Sequence, residues 1–363
     1  MSIRTRLMKW AMQLAWHSPD FRRELDALIR LRVDEGILRH KARLNAESQP
    51  ALGLLWHELN DIDLMRANIK QLGLQTARML YQQGQMAAVD HDRVLPLTTR
   101  LCRQADFAEP WFRGWCDALH LGPLVHRKIW EYAFVLQALK EGGALRAGGH
   151  GVGFGCGEEP IASFLASLGI DVTVTDLAPE KSEGLGWTST GQHTSSLQQA
   201  FHAELIGRDE FDRRLRLEYV DMNAIPASMN EGYDFCWSIC ALEHLGSIRK
   251  GLDFIKNSMQ VLRTGGVAVH TTEFNLGDGD TIDNWVTVLF QQRHFVLLAE
   301  ELKAEGYEML PLDPDPGDAF LDKCVDLPPY QWGGVLRHDE PGHLKLSIDG
   351  FPATCVGIIV RKP

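Results

Sequence analysis

The chain has 363 residues, 45% of them hydrophobic, and a formal net charge of -11. That length exceeds one ordinary domain, so a main domain with an accessory region is expected. The acidic balance argues against a general nucleic-acid binder, and no apolar run approaches the length that spans a bilayer.

The first elements are helical. Ile3, Leu7, Trp10, Ala11 and Leu14 line one face, with Arg4, Arg6 and Lys9 elsewhere around it. This is the pattern of a packing helix, with a membrane-surface helix as the alternative. No small-residue cleavage site follows, so no secretory signal is read. The 7 cysteines form no CxxC pair and are odd in number, as in reduced thiols of a cytoplasmic protein. From Arg22 to Gln85 the sequence predicts helices broken at Ser48-Gln49-Pro50. Leu55, Leu59, Ile62, Ile69 and Leu80 keep a coiled-coil spacing that Arg66, Gly73 and Thr76 interrupt, which points to an imperfect oligomerisation or docking seam. Residues 1–125 are expected to be the helical accessory region and 126–363 the main domain. His126 to Lys140 reads as an amphipathic helix closed by Gly142-Gly143, placed to cross a pocket where Arg127 or Tyr132 would meet a carboxylate.

The segment HGVGFGCGEEP, residues 150–160, reads as a strand, a glycine turn and a helix start. Gly155 and Gly157 let backbone approach a ligand, and Pro160 suits a first helical position. A helix from Ile161 to Leu168 stops at Gly169, and a second strand, Asp171 to Thr175, ends in Asp176. An acid there is where doubly wound nucleotide-binding folds hold a ribose. The third glycine of a dinucleotide fingerprint is absent from the Glu158-Glu159-Pro160 stretch, which weighs against a nicotinamide or flavin cofactor and so against a dehydrogenase.

Ala178 to Gln192 is polar and is expected to be a lid or a solvated connection, followed by a helix over Leu197 to Gly207. A third strand, Leu215 to Val220, leads to Asp221-Met222-Asn223, where an acid can receive an adenine amine or close a turn. The fourth strand is Tyr233 to Ile239, followed by CALEHLGS and a four-turn helix to Leu262. The fifth is Val267 to Thr271, running into Thr272-Glu273-Phe274. Then come a helix over Phe295 to Glu305, a strand over Tyr307 to Leu312, a pocket wall over 328–342, and a hairpin turning at Asp349-Gly350 into a strand over Thr354 to Val360.

GFGCGEEP, Asp176, VDMNAIP, YDFCWSICALEHLGS and VLRTGGVAVHTTEF resemble, in order and spacing, class I S-adenosylmethionine-dependent methyltransferases over residues 126–362. The resemblance implies an α/β fold: a Rossmann-like, doubly wound, seven-stranded sheet, mostly parallel with an antiparallel last strand. It also implies S-adenosyl-L-methionine as cofactor. The cofactor contacts it carries over are Gly153, Phe154, Gly155, Gly157 and Glu158 from the first turn, Asp176 and Leu177 from the second strand, and Asp221, Met222 and Ser238 from the third and fourth. The acid usual in the family's first strand is Gly153 here, and Glu158 or Glu159 would take its place. EHLGS, HTTEF, HLKL and IIVRK look like methyltransferases of bacterial surface-polysaccharide clusters. This implies O-methylation of a saccharide and a glycan-assembly partner; the N-terminal helices, outside the resemblance, are expected to give a homo-oligomer, with a peripheral membrane contact as the alternative for the first of them. Another small molecule or a protein as acceptor is the alternative, as is a non-catalytic docking subunit.

A hydroxyl acceptor needs a base near the strand tips. His244 is the first choice, Glu273 the second and His270 the third; the alternatives are that His244 caps a helix and that His270 fills the core. Glu243, His244, His270 and Glu273 offer metal-ligand chemistry but no metal-binding spacing on one element, so no metal is expected.

Overall fold

In the computed structural model the described residues are 27, 52–86, 88–92, 97–178, 196–328, 330 and 344–363. The expected helical face over Ile3–Leu14, the lid after Ala178 and most of the pocket wall lie outside them.

The elements in chain order are α1 (Leu52–Gln85), β1 (Thr99–Leu101), α2 (Pro110–Ala118), α3 (Arg127–Glu141), β2 (His150–Phe154), α4 (Ile161–Ser167) and β3 (Asp171–Asp176). They continue with α5 (Arg208–Arg214), β4 (Leu215–Tyr219), β5 (Tyr233–Ile239), α6 (Ile248–Ser258), β6 (Leu262–Asn275) and α7 (Gln292–Ala304). The last are β7 (Glu308–Met309), β8 (Leu312–Asp313), α8 (Phe320–Lys323), β9 (Val325–Asp326), β10 (Lys345–Ile348) and β11 (Phe351–Arg361). Local chemistry accounts for several ends. His126 caps α3 by accepting from the Lys128 N–H at 3.0 Å. Asp349 and Gly350, both at positive φ, turn β10 back into β11.

The described sheet runs β4-β3-β2-β5-β6-β11-β1-β8, and the order in which the chain adds strands reverses between β2 and β5. Strands β2 to β6 are mutually parallel, and β11 is antiparallel to β6. The expected parallel core with an antiparallel last strand is present, but the seven-strand count is not: the described sheet has eleven strands. The strand expected over Tyr307 to Leu312 is split. Met309 pairs with Val360 of β11, whereas Leu312 pairs with Thr99 of β1. Pro311 lies between and has no N–H to give a ladder. Similarly, the helix expected over Leu197 to Gly207 is only a 3-10 turn, Leu197–Ala200, and α5 begins after Gly207. The helix expected to reach Leu262 leaves α geometry after Ser258.

Contacts divide the chain into two compact units, residues 1–68 and 69–363. The sheet's unit therefore starts well before residue 126. β1 inserts between β11 and β8, a role that three residues carry no periodicity to announce. Asp106 receives the Trp130 indole N–H at 2.7 Å and pairs with Arg100, locking this segment to α3. Lys345, fully buried, donates to the Cys102 carbonyl and lies 3.6 Å from Asp322, which also accepts from the Gln104 N–H. On α1, Leu74 and Ala77 are buried while Leu72 and Met79 are exposed. No helix among the described residues is long and apolar enough to cross a membrane.

Helices cover both faces of the sheet. α2 to α5 contribute to a core with Trp130, Phe134, Ile161 and Phe211, and α6 and α7 to a second one with Leu252, Phe254, Phe295 and Leu298. A Cβ on Gly357 of β11 would lie 2.2 Å from the Phe134 ring, so this glycine lets α3 sit close on the sheet. That seat brings the first turn of α3 over the tips of β5 and β6.

Asp322→Ala would leave Lys345 as a buried cation without its carboxylate. A stability loss of about 3–5 kcal/mol is expected in urea unfolding. A loss under about 1 kcal/mol would mean that the β1 segment is not held by this pair.

Candidate functional site at the strand tips

Gly155 and Gly157 both adopt positive φ, so the turn after β2 takes a path that suits glycine. A Cβ on Gly155 would lie 2.8 Å from the Ala241 Cβ and 3.4 Å from the Met222 sulfur. The tips of β2, β4 and β5 thus converge on one point. Asp176 is buried at the tip of β3. Its Oδ1 accepts from the Leu177 N–H at 2.8 Å and its Oδ2 from the Gly157 N–H at 3.4 Å, tying that tip to the glycine turn. Asp221 closes a turn by accepting from the Asn223 N–H at 2.9 Å, and Met222 is buried beside the glycine turn.

Three expected cofactor contacts need correction. Phe154 points into the core, with its ring 5.4 Å from that of Phe254. The Ser238 hydroxyl is fully buried at 2.8 Å from His270 Nδ1, so only the backbone of these two strands faces the tips. Glu158 is exposed and accepts from Gln199 Nε2 at 2.9 Å. Gly153 has no room for any side chain, because a Cβ there would lie 2.3 Å from Cys156 Sγ and 2.4 Å from the Trp237 indole. Glu159 instead turns inward. Its Oε2 is buried and has no hydrogen-bond partner among the described residues. Burial pushes its carboxyl well above the usual range, Glu131 and Asp176 add to the shift, and Lys128 opposes it.

The second half of the site lies where α3 crosses β5 and β6. Arg127 and Glu131 are four residues apart and share a helix face. Arg127 pairs with Glu273 at the end of β6. Burial works against the arginine's charge, but Glu273 and the other nearby acids hold its pKa above the ordinary value. Glu131 is fully buried. Its Oε2 accepts from Cys240 Sγ at 2.8 Å and from the Thr271 hydroxyl, while its Oε1 has no hydrogen-bond partner and lies 3.8 Å from Lys128 Nζ. Cys240 adopts φ 47°, a sparsely populated conformation for a side chain of its kind, and this places its thiol on Glu131. Glu243 accepts from the Thr272 hydroxyl at 3.0 Å. Its pKa is raised, by burial first and then by Glu273 against the opposing His244. One ligand atom each of Cys240, Glu243 and Glu273 lies within 4.8 Å of the others. The thiol and two carboxylates suit a cation, and Arg127 already supplies one to Glu273.

Of the three expected bases, two reach this region. Glu273 lies in it, and its Oε2 has no hydrogen-bond partner among the described residues. His244 holds Nδ1 2.9 Å from the Val286 carbonyl, which assigns a proton to that nitrogen, and its Nε2 lies 3.9 Å from Glu243 Oε1. His270 is elsewhere. It is fully buried within β6, between the hydroxyls of Ser238 and Ser258 at 2.8 and 3.1 Å and against the Phe254 ring. It is a core residue, corrected here from the third candidate base, and burial pushes its pKa down to about 3. Sequence reading missed Lys128, Glu131, Cys240 and Thr271. The one available signal was the R-K-x-x-E run opening an otherwise apolar helix.

No protein-family model and no curated protein matches the chain. Solved structures similar to it include S-adenosylmethionine-dependent methyltransferases. One, from Galdieria sulphuraria and assigned to sarcosine and dimethylglycine methylation, shares 17% identity at a TM-score of 0.40, over 64% of this chain and 88% of that one. Another, from Aquifex aeolicus, shares 13% identity at a TM-score of 0.32, over 63% and 89%. The [4+2]-cyclase SpnF is also similar, with 16% identity and a TM-score of 0.38 over 66% and 74%. A likeness this distant says nothing of chemistry or substrate.

Because His270 stays neutral when folded and takes a proton near its ordinary pKa when unfolded, its contribution is intact above about pH 6.5 and lost as pH falls toward 3. Between pH 7.5 and 5 this amounts to about 2 kcal/mol. The imidazole nitrogen shifts of His270 should remain those of a neutral ring at pH 5, and His270→Gln should lose that part of the acid sensitivity in urea unfolding. Protonation of His270 near pH 6.5 would refute its assignment to the core.

Proposed function

We propose that the chain is an S-adenosylmethionine-dependent methyltransferase whose donor lies across the tips of β2, β3 and β4 and whose acceptor lies under α3. The observation that carries this reading is the convergence of the tips of β2, β4 and β5 on Gly155, with Asp176 at the tip of β3 tied to the glycine turn and the orphaned Glu159 carboxyl oxygen following that turn. Asp176 would hold the ribose hydroxyls, and Asp221 and Met222 the adenine. The N–H groups of the glycine turn would lie along the donor. Glu159 would receive its ammonium group and Lys128 its carboxylate, a zwitterion matched by an acid and a base of opposite sign. A sealed carboxylate oxygen is costly unless something binds it, which supports a ligand here over a docking-only module.

S-adenosylmethionine, when bound, supplies a methyl group on a sulfonium that an acceptor lone pair displaces in line. The chain's task is then to hold the acceptor at attack distance, exclude water and remove a proton. His244 Nε2 is the best placed base, being oriented through its other nitrogen by Val286, and Glu243 and Glu273 are the carboxylates near it. A saccharide hydroxyl, the acceptor expected from sequence, would use the same base. The seven free thiols accord with a cytoplasmic setting, and the exposed Leu72 and Met79 on α1 accord with self-association through that helix.

Asp176→Ala should weaken S-adenosylhomocysteine binding about 100-fold in calorimetry, and Glu159→Gln about 10-fold. His244→Ala should bind the same ligand within about twofold and slow methyl transfer roughly 100- to 10,000-fold. Unchanged affinity in Asp176→Ala, or no affinity in the parent protein, would sink the methyltransferase reading.

A further inference from the structure

We propose that the buried acidic cluster of Glu131 of α3, Glu243 after β5 and Glu273 of β6 is a subsite for the amino group of an amine-bearing acceptor, so that the reaction is N-methylation. This rests on the methyl-transfer reading and narrows it to one class of nucleophile.

The argument is an inventory of donors and acceptors. The hydroxyls of Thr271 and Thr272 and the thiol of Cys240 already donate to the carboxylates of Glu131 and Glu243. Arg127 is committed to Glu273. Without a hydrogen-bond partner among the described residues are Glu131 Oε1, which Lys128 Nζ approaches only to 3.8 Å, and Glu273 Oε2, on side chains at least nine-tenths buried and on separate elements, against one such donor, Arg127 Nη1. Glu131 belongs to the helix rather than to the Cys240, Glu243 and Glu273 cluster it faces, so it supplies an acceptor independently of them. The cluster thus holds more acceptors than donors, and three carboxylates beside two cations, Arg127 and Lys128.

A sugar hydroxyl fits such a lining poorly. It brings one donor, and its own lone pairs would find the surrounding hydroxyls already engaged. A protonated amine brings donors only, together with a third positive charge for a cluster of three carboxylates that holds two. In the transfer itself, the bound ammonium first gives one proton to Glu243 or to His244 Nε2. The freed nitrogen lone pair then forms the new C–N bond as the methyl–sulfur bond breaks, and that bond's electron pair stays on sulfur as a neutral thioether. The product nitrogen carries the positive charge that the sulfonium has lost.

The test uses the full chain saturated with S-adenosylhomocysteine and follows its melting temperature with matched probes. Ethanolamine, 1,4-diaminobutane and glucosamine are compared with ethylene glycol, 1,4-butanediol and glucose. At least one amine should raise Tm by about 2–4 °C in a saturable way while its matched alcohol does not. Glu273→Gln and Glu131→Gln should each abolish that rise while still binding S-adenosylhomocysteine in calorimetry, which also shows that they fold. Equal responses to amine and alcohol, amine responses that survive both substitutions, a response to manganese or zinc alone, or no response to any amine would each overturn the proposal. Failure of the parent protein to bind S-adenosylhomocysteine would instead defeat the methyl-transfer reading beneath it.

Discussion

The ion pair between Arg127 and Glu273 is the contact on which the site depends. It joins the first turn of α3 to the end of β6, two elements that meet only because β11 offers Gly357 under Phe134. With that clasp in place, Glu131 is carried over the end of β5 and reaches Cys240 and Thr271. Burial opposes the arginine's charge, and Glu273 first, then the Cys240 thiol and Glu131, offset it. Removing either partner would leave the other as a buried charge, so the pair acts as a hinge pin for the whole acceptor side.

The donor side is organised by backbone rather than by charge. The positive φ of Gly155 and Gly157 bends the chain into the space that Met222 and Ala241 border, and Asp176 anchors the bend by accepting from Gly157. The indole of Trp237 fills the room beside Gly153, which explains why an acid found in the resembled family at that strand cannot stand there. Six residues along, where the chain has left the strand and can turn back, Glu159 carries a carboxyl oxygen inward. The donor and acceptor halves then share one electrostatic problem, a surplus of enclosed carboxylates.

How far the chain could be read without coordinates differs from element to element. Strands β2 to β5 and the helix after them are legible because their apolar runs are bounded by glycines, acids and capping serines whose local preferences agree with the fold. The ends of β2 and β3 are legible as a ligand site for the same reason. β1, β7 and β8 are too short to carry periodicity, and their pairing is decided by Pro311 and by the ladder that β11 leaves open. His270 looks catalytic in sequence because it precedes Glu273 closely, yet strand alternation points it at Ser238, Ser258 and Phe254.

By itself, then, the sequence determined a doubly wound core, the glycine turn, the acid at Asp176 and the presence of histidine and carboxylates after the fourth and fifth strands. These follow from local rules: period, turn chemistry and the residues that each backbone conformation tolerates. Only the tertiary structure decided which carboxylates face one another, that Glu159 rather than Glu158 turns inward, that α3 brings Arg127 and Glu131 over the tips of β5 and β6, and that the amino-terminal segment completes the sheet. The physical reason is range. A helix cap or a glycine turn is settled within a few residues, whereas the pairing of Glu131 with Cys240 depends on how closely a helix can approach a sheet more than a hundred residues away in the chain.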